Sequence, residues 1–163
     1  AETDGTSTDT TWADSGIRLT VSKVTSVEYG EVHSSLPVRT WRSTNIMAAT
    51  NRLPQVAGAE VTYVGSLANA QWLSVVDVSQ NSNNPCVAGA EAAHAASGAY
   101  SGSVQAAGGT KAVTVPQSTL RLDTNTYAVC YAAGDGSTAD TTWRDSYVQG
   151  KISRQSQCHR AHC

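Results

Sequence analysis

The opening of this chain recurs near its end. Residues 1–15 and 132–146 share nine identities at a constant offset of 131 positions, without a gap. Asp4, Gly5, Asp9, Thr10, Thr11, Trp12, Asp14 and Ser15 return as Asp135, Gly136, Asp140, Thr141, Thr142, Trp143, Asp145 and Ser146. Tryptophan is rare and keeps its register, so compositional drift toward Thr and Asp does not account for the match. The pattern runs on into Ile17, Arg18, Leu19, Thr20, Val21, Ser22, Lys23 and Val24, where Ile17, Leu19 and Val21 alternate with polar residues. That alternation predicts a strand with one apolar face. Its late counterpart has Gly150 in place of Leu19 and Gln155 in place of Val24. A buried Leu is worth about 1.5–3 kcal/mol and an interior Gly weakens a strand, so the late copy is expected to be the weaker one.

The late copy follows Tyr127, Ala128, Val129, Cys130 and Tyr131, a strand-like run, and a turn at 134–136. This predicts a hairpin. The early copy carries the second half of that hairpin without the first, so its strand is expected to take its edge from another molecule. Three segments result: a loop and donor-like strand at 1–24, a β-sandwich body at 25–154, and a Cys/His tail at 155–163.

Composition narrows the class. The 163 residues carry a net charge of −2, with 15% charged residues and no Phe. No basic stripe suggests nucleic acid, and no apolar run is long enough for a membrane-spanning helix. Abundant Val, Thr and Tyr favour strands. Strands are predicted at 27–33, 36–42, 60–64, 71–78, 111–115, 119–122 and 126–131. Trp72, Val76 and Val78 are expected to share a face. Short helices are predicted at 43–51, before Leu53 and Pro54, and at 88–96. The sum is an all-β, immunoglobulin-like or jelly-roll sandwich with an N-terminal extension strand.

Cys86, Cys130, Cys158 and Cys163 allow three pairings. The expected one joins Cys86 to Cys130, each beside a strand-like run, and Cys158 to Cys163 as a terminal loop. Four cysteines in a Ser/Thr-rich chain suggest secretion, to the cell surface or beyond. The lack of a leader suggests that any signal peptide has been removed. The sequence holds no N-x-Ser/Thr sequon.

Two stretches carry a resemblance. Residues 126–131 with 134–136 and 140–147, and residues 111–116, resemble a unit of long tandem-repeat proteins from aquatic microbial eukaryotes such as dinoflagellates. There the last strand of one unit runs straight into the next. The chain is also similar to extracellular filament subunits with a jelly-roll or immunoglobulin-like body and a terminal strand lodged in a neighbour. Tyr127 lies three residues before Cys130, where an immunoglobulin tyrosine corner has two.

These features predict a structural subunit of an extracellular helical filament, a homopolymer. Residues 17–24 would add beside residues 127–131 of a neighbour, with Trp12 and Trp143 as anchors. The alternative is a secreted carbohydrate-binding or adhesion module using Trp12, Trp41, Trp72 and Trp143 on glycans. Cys158, His159, His162 and Cys163 have zinc-ligand chemistry, yet their crowding into six residues suits a terminal disulfide better. Asp4, Asp9, Asp135 and Asp140 lack calcium-loop spacing, so no metal or cofactor is expected. No hydrolase elbow, phosphate loop or zinc-protease motif occurs. Repeated carboxylates suit architecture better than a single active site, so no enzyme is expected.

Overall fold

Strands dominate the regular secondary structure of the described residues, in keeping with a composition rich in Val, Thr and Tyr. In the computed structural model, residues 2–17, 21–29, 39–42, 52–55, 58–117, 120 and 124–154 are described. The strands are β1 (Val24–Tyr29), β2 (Arg39–Arg42), β3 (Arg52–Gln55), β4 (Glu60–Gly65), β5 (Trp72–Asp77), β6 (Val104–Gln105), β7 (Ala112–Thr114), β8 (Tyr127–Ala132) and β9 (Arg144–Arg154). Helix α1 is one turn, Gly89–Ala92. One sheet has the order β2-β1-β4-β7 and the other β3-β9-β8-β5-β6. Among the described residues every pairing is antiparallel except β3 with β9.

Alternation sets the shared core. In β4, Val61 and Tyr63 point inward while Glu60, Thr62 and Val64 face solvent, the period-two signature of a half-buried strand. Val27, Val61, Tyr63 and Val113 of the first sheet meet Leu53, Leu73, Val75, Val129, Val148 and Ile152 of the second in one buried cluster.

β8 breaks the alternation, being buried along its whole length. Tyr127, Val129 and Tyr131 join the shared core. Ala128, Cys130 and Ala132 join a second cluster with Val76, Cys86, Ala92, Tyr100 and Trp143, against which Trp72 and Val78 pack. Small side chains on this outer face leave room for the Trp143 indole and for the segment 78–101 that covers it. The Cys86–Cys130 disulfide, with Cα atoms 5.2 Å apart, belongs to this outer layer. An immunoglobulin bridge links the two sheets; this one ties a middle strand to the segment covering it.

Several expected elements are present with shifted ends. The predicted 27–33 strand begins at Val24, and residues 30–38 lie outside the described residues. The 36–42 strand is β2, the 88–96 helix shrinks to α1, and β9 extends the late copy to eleven residues. The predicted helix at 43–51 lies outside the described residues, as does most of 119–122, of which Leu120 is buried and not in a strand. Residues 52–55 were not expected as a strand. They run parallel to the end of β9, with Arg52 opposite Lys151 and Leu53 opposite Ile152. Pro54 is tolerated there because β3 is the last strand of its sheet.

Candidate functional site

The repeated sequence folds twice into the same loop. In the late copy, Asp140 Oδ1 accepts the Thr142 N–H (2.7 Å) and the Thr142 hydroxyl (2.6 Å), while Oδ2 accepts the Gly136 N–H (2.8 Å). In the early copy, Asp9 Oδ1 accepts the Thr11 N–H (2.8 Å) and hydroxyl (2.6 Å), and Oδ2 accepts the Gly5 N–H (3.1 Å). Trp143 Nε1 donates to the Ser137 carbonyl at 3.0 Å and Trp12 Nε1 to the Thr6 carbonyl at 2.9 Å. The Ala133 and Glu2 amides each donate to the threonine hydroxyl at 2.9 Å. Gly136 and Gly5 hold φ of +67° and +66°, a left-handed conformation that glycine adopts without steric cost. Such side-chain-to-backbone bonds make the loop a self-contained unit.

The copies part company in burial. Trp12 is 61% exposed where Trp143 is 1%; Ile17 is 71% exposed where Val148 is 0%; Val21 is 86% exposed where Ile152 is 0%. The late loop is held by its surroundings. A Cβ on Gly136 would fall 2.2 Å from Cδ2 of Trp72, and one on Gly89 would fall 2.5 Å from the Thr138 carbonyl oxygen. The loop is therefore packed closely on the Trp72 ring at Gly136 and against the start of α1 at Thr138. A Cβ on Gly5 would meet only Cζ2 of its own Trp12, at 4.0 Å.

Charge follows the hydrogen bonds. The Thr11 and Thr3 hydroxyls, with the Thr11 and Gly5 amides, hold the Asp9 carboxyl well below the usual carboxylate range. Burial alone would push Asp140 up, but bonds from the Thr142 hydroxyl and the Thr142 and Gly136 amides outweigh it, leaving that carboxyl also lowered. A carboxylate lowered by folding stabilises the fold above its unfolded pKa, and the contribution is lost as pH falls through the folded value. Both loops are thus expected to stay closed at neutral pH and to open only below pH 3.8, the ordinary Asp value. NMR titration of the Thr11 and Thr142 amides checks this; opening of either loop above pH 4 would contradict it.

The remaining predicted site residues fall as follows. Arg18, Leu19 and Thr20 lie outside the described residues. Ile17, Val21, Ser22 and Lys23 are not in a strand, while Val24 opens β1 and is buried in its own subunit. Lys23 is pinned to the body: its N–H donates to Tyr131 Oη (3.1 Å), and its carbonyl accepts the Leu67 N–H (3.0 Å). A Cβ on Gly65, whose φ is +132°, would lie 2.2 Å from that carbonyl oxygen, so only glycine admits the chain there.

The expected acceptor edge at Tyr127, Ala128, Val129, Cys130 and Tyr131 is flanked on both sides within its own subunit, by β5 and β9. Both edges are taken because the predicted β8–β9 hairpin closes within the chain. Trp143, expected as an interface anchor, packs inside its own subunit because the Ala/Cys face of β8 makes space for it. Cys158 and Cys163 lie outside the described residues. Sequence reasoning missed Trp72 and Gly89 as the seat of the loop; the glycine heading an Ala-rich stretch was the available signal. Comparison with protein-family models, with curated proteins and with solved structures finds no match.

Proposed function

We propose that this protein is a structural subunit of an extracellular filament, assembling head to tail as its N-terminal arm inserts into a neighbouring copy. One observation carries the reading. The arm holds, already folded, a loop whose twin seats Gly136, Asp140 and Trp143 in the body, yet it presents its own Trp and apolar positions to water. Burying Ile17 and Val21 is worth about 1.5–3 kcal/mol each, and an aromatic side chain adds 150–250 Å² of contact, by the usual range for such residues. A second copy of the chain has the chemistry to cover them. Such a contact is not two-fold, so it repeats without closing and builds a fibre. The body is read as an immunoglobulin-like or jelly-roll sandwich. The Cys86–Cys130 bridge suits an oxidising compartment.

The double variant Ile17→Asp/Val21→Asp tests the reading. Both positions face solvent in the subunit, so its stability is expected to change by no more than about 0.5 kcal/mol each. Two carboxylates carried into an apolar seat would abolish docking. Sedimentation should show polymer for the parent chain and a monomer for the variant. A parent chain that remains a 17.0 kDa monomer at every concentration would end the proposal.

A further inference from the structure

We infer that the arm's berth is the seat of the neighbour's own residues 133–154, taken by exchange of one copy for the other. This rests on the head-to-tail assembly proposed above and specifies its register. Residue k of the arm would adopt the contacts that residue k+131 makes in the body.

Four local matches support exchange. Gly5 would replace Gly136 on the Trp72 ring, where a Cβ would stand 2.2 Å from the indole. Ser15 would replace Ser146, whose hydroxyl donates to the Val129 carbonyl at 2.5 Å and accepts the Val148 N–H at 3.0 Å. In the free arm the Ser15 hydroxyl already accepts the equivalent Ile17 N–H at 3.2 Å. Gly16 would replace Tyr147. Both have positive φ, +71° and +61°, and both amides donate to the aspartate two residues before, Asp14 or Asp145. Glycine takes this bend without the strain a tyrosine carries. Ile17 and Val21 would replace Val148 and Ile152, two buried apolar positions of β9.

Addition beside an intact β9 satisfies none of this. Trp143 already fills the indole site and β9 already covers β8, so Trp12, Gly5 and Ser15 would find no equivalent partners. Exchange also fixes polarity. β9 starts beside Tyr131 and ends beside β3, whereas Lys23, equivalent to Arg154, sits at Tyr131 of its own subunit. The arm would therefore leave the far end of its host and enter β1 at the near end of its own body. No residue intervenes between Lys23 and Val24, so adjacent subunits should be offset by close to the length of the eleven-residue strand, about 36 Å.

Cross-linking tests the register. β9 pairs Lys151 with Arg52, so exchange places Thr20 of one chain opposite Arg52 of the next. Chains bearing Thr20→Cys and Arg52→Cys are mixed, assembled and mildly oxidised, and the linked peptides are identified by mass spectrometry. The expected product is the Thr20–Arg52 interchain link. In a chain bearing Arg52→Cys and Lys151→Cys, the intrachain link formed by monomer should be lost on assembly. Gly5→Asn, which keeps the left-handed turn but adds a Cβ against Trp72, should raise the critical concentration at least about tenfold. Filaments that form without the interchain link, or with the intrachain link retained, would overturn the berth and leave the assembly reading standing. Absence of filaments under all conditions would overturn both.

Discussion

Trp143→Ala is expected to cost about 3–5 kcal/mol of subunit stability, whereas Trp12→Ala should change it by no more than about 0.5 kcal/mol. The two indoles sit in loops with the same hydrogen bonds, each donating to a carbonyl six residues back. Only their surroundings differ. Trp143 fills the outer face of β8 against Ala128, Cys130 and Ala132, and its removal leaves a cavity that a close-packed layer closes only in part. Trp12 leaves open water behind. Urea unfolding in the assembly-deficient Ile17→Asp/Val21→Asp background measures both. Equal losses would mean that the arm is packed against its own body, and the two-copy argument would fail with it.

Opening the Cys86–Cys130 bridge should destabilise the subunit by a similar amount. For a sequence separation of 44, the chain-entropy argument gives about 4 kcal/mol. The effect is directed at one layer, because Cys86 lies in the segment covering the outer face of β8. Loss of that cover would loosen the seat of Trp143, so the two changes should not be additive. Comparing urea midpoints of Cys86→Ala/Cys130→Ala, Trp143→Ala and the triple variant gives the coupling directly. A loss under about 1 kcal/mol for the cysteine pair would show that the covering segment holds itself in place.

What could be read in advance was local chemistry. The Asp-Gly-Thr-Trp loop carries its own hydrogen-bond partners, so its repetition announced a repeated structure. The β8–β9 hairpin and the Cys86–Cys130 pair were legible because each adjoins a strand-like run. The alternation of β4 was equally plain. Pairing between distant segments left less trace. β3 joins the end of β9 across roughly a hundred residues, and Pro54 argued locally for a break. The fate of Trp143 was hidden for another reason. Trp12 and Trp143 share the same local sequence, and their difference is set by Trp72, Gly89 and the alanine face of β8. The unbroken apolar run of β8 did carry a warning, because a strand without polar alternation is covered on both faces and offers no vacant side.

The direct passage from Lys23 into β1 has a mechanical consequence. Lys23 is clamped by Tyr131 and Leu67 with no tether between it and Val24. In the proposed polymer, tension would thus pass from one body to the next along strand backbones. A pull on the arm would act parallel to the host strands and load the ladder bonds together, in shear, instead of peeling them one by one. Such fibres should stretch little before they rupture and should resist swivelling between units, and an optical-trap measurement would register stiffness where a hinged chain of beads would show slack.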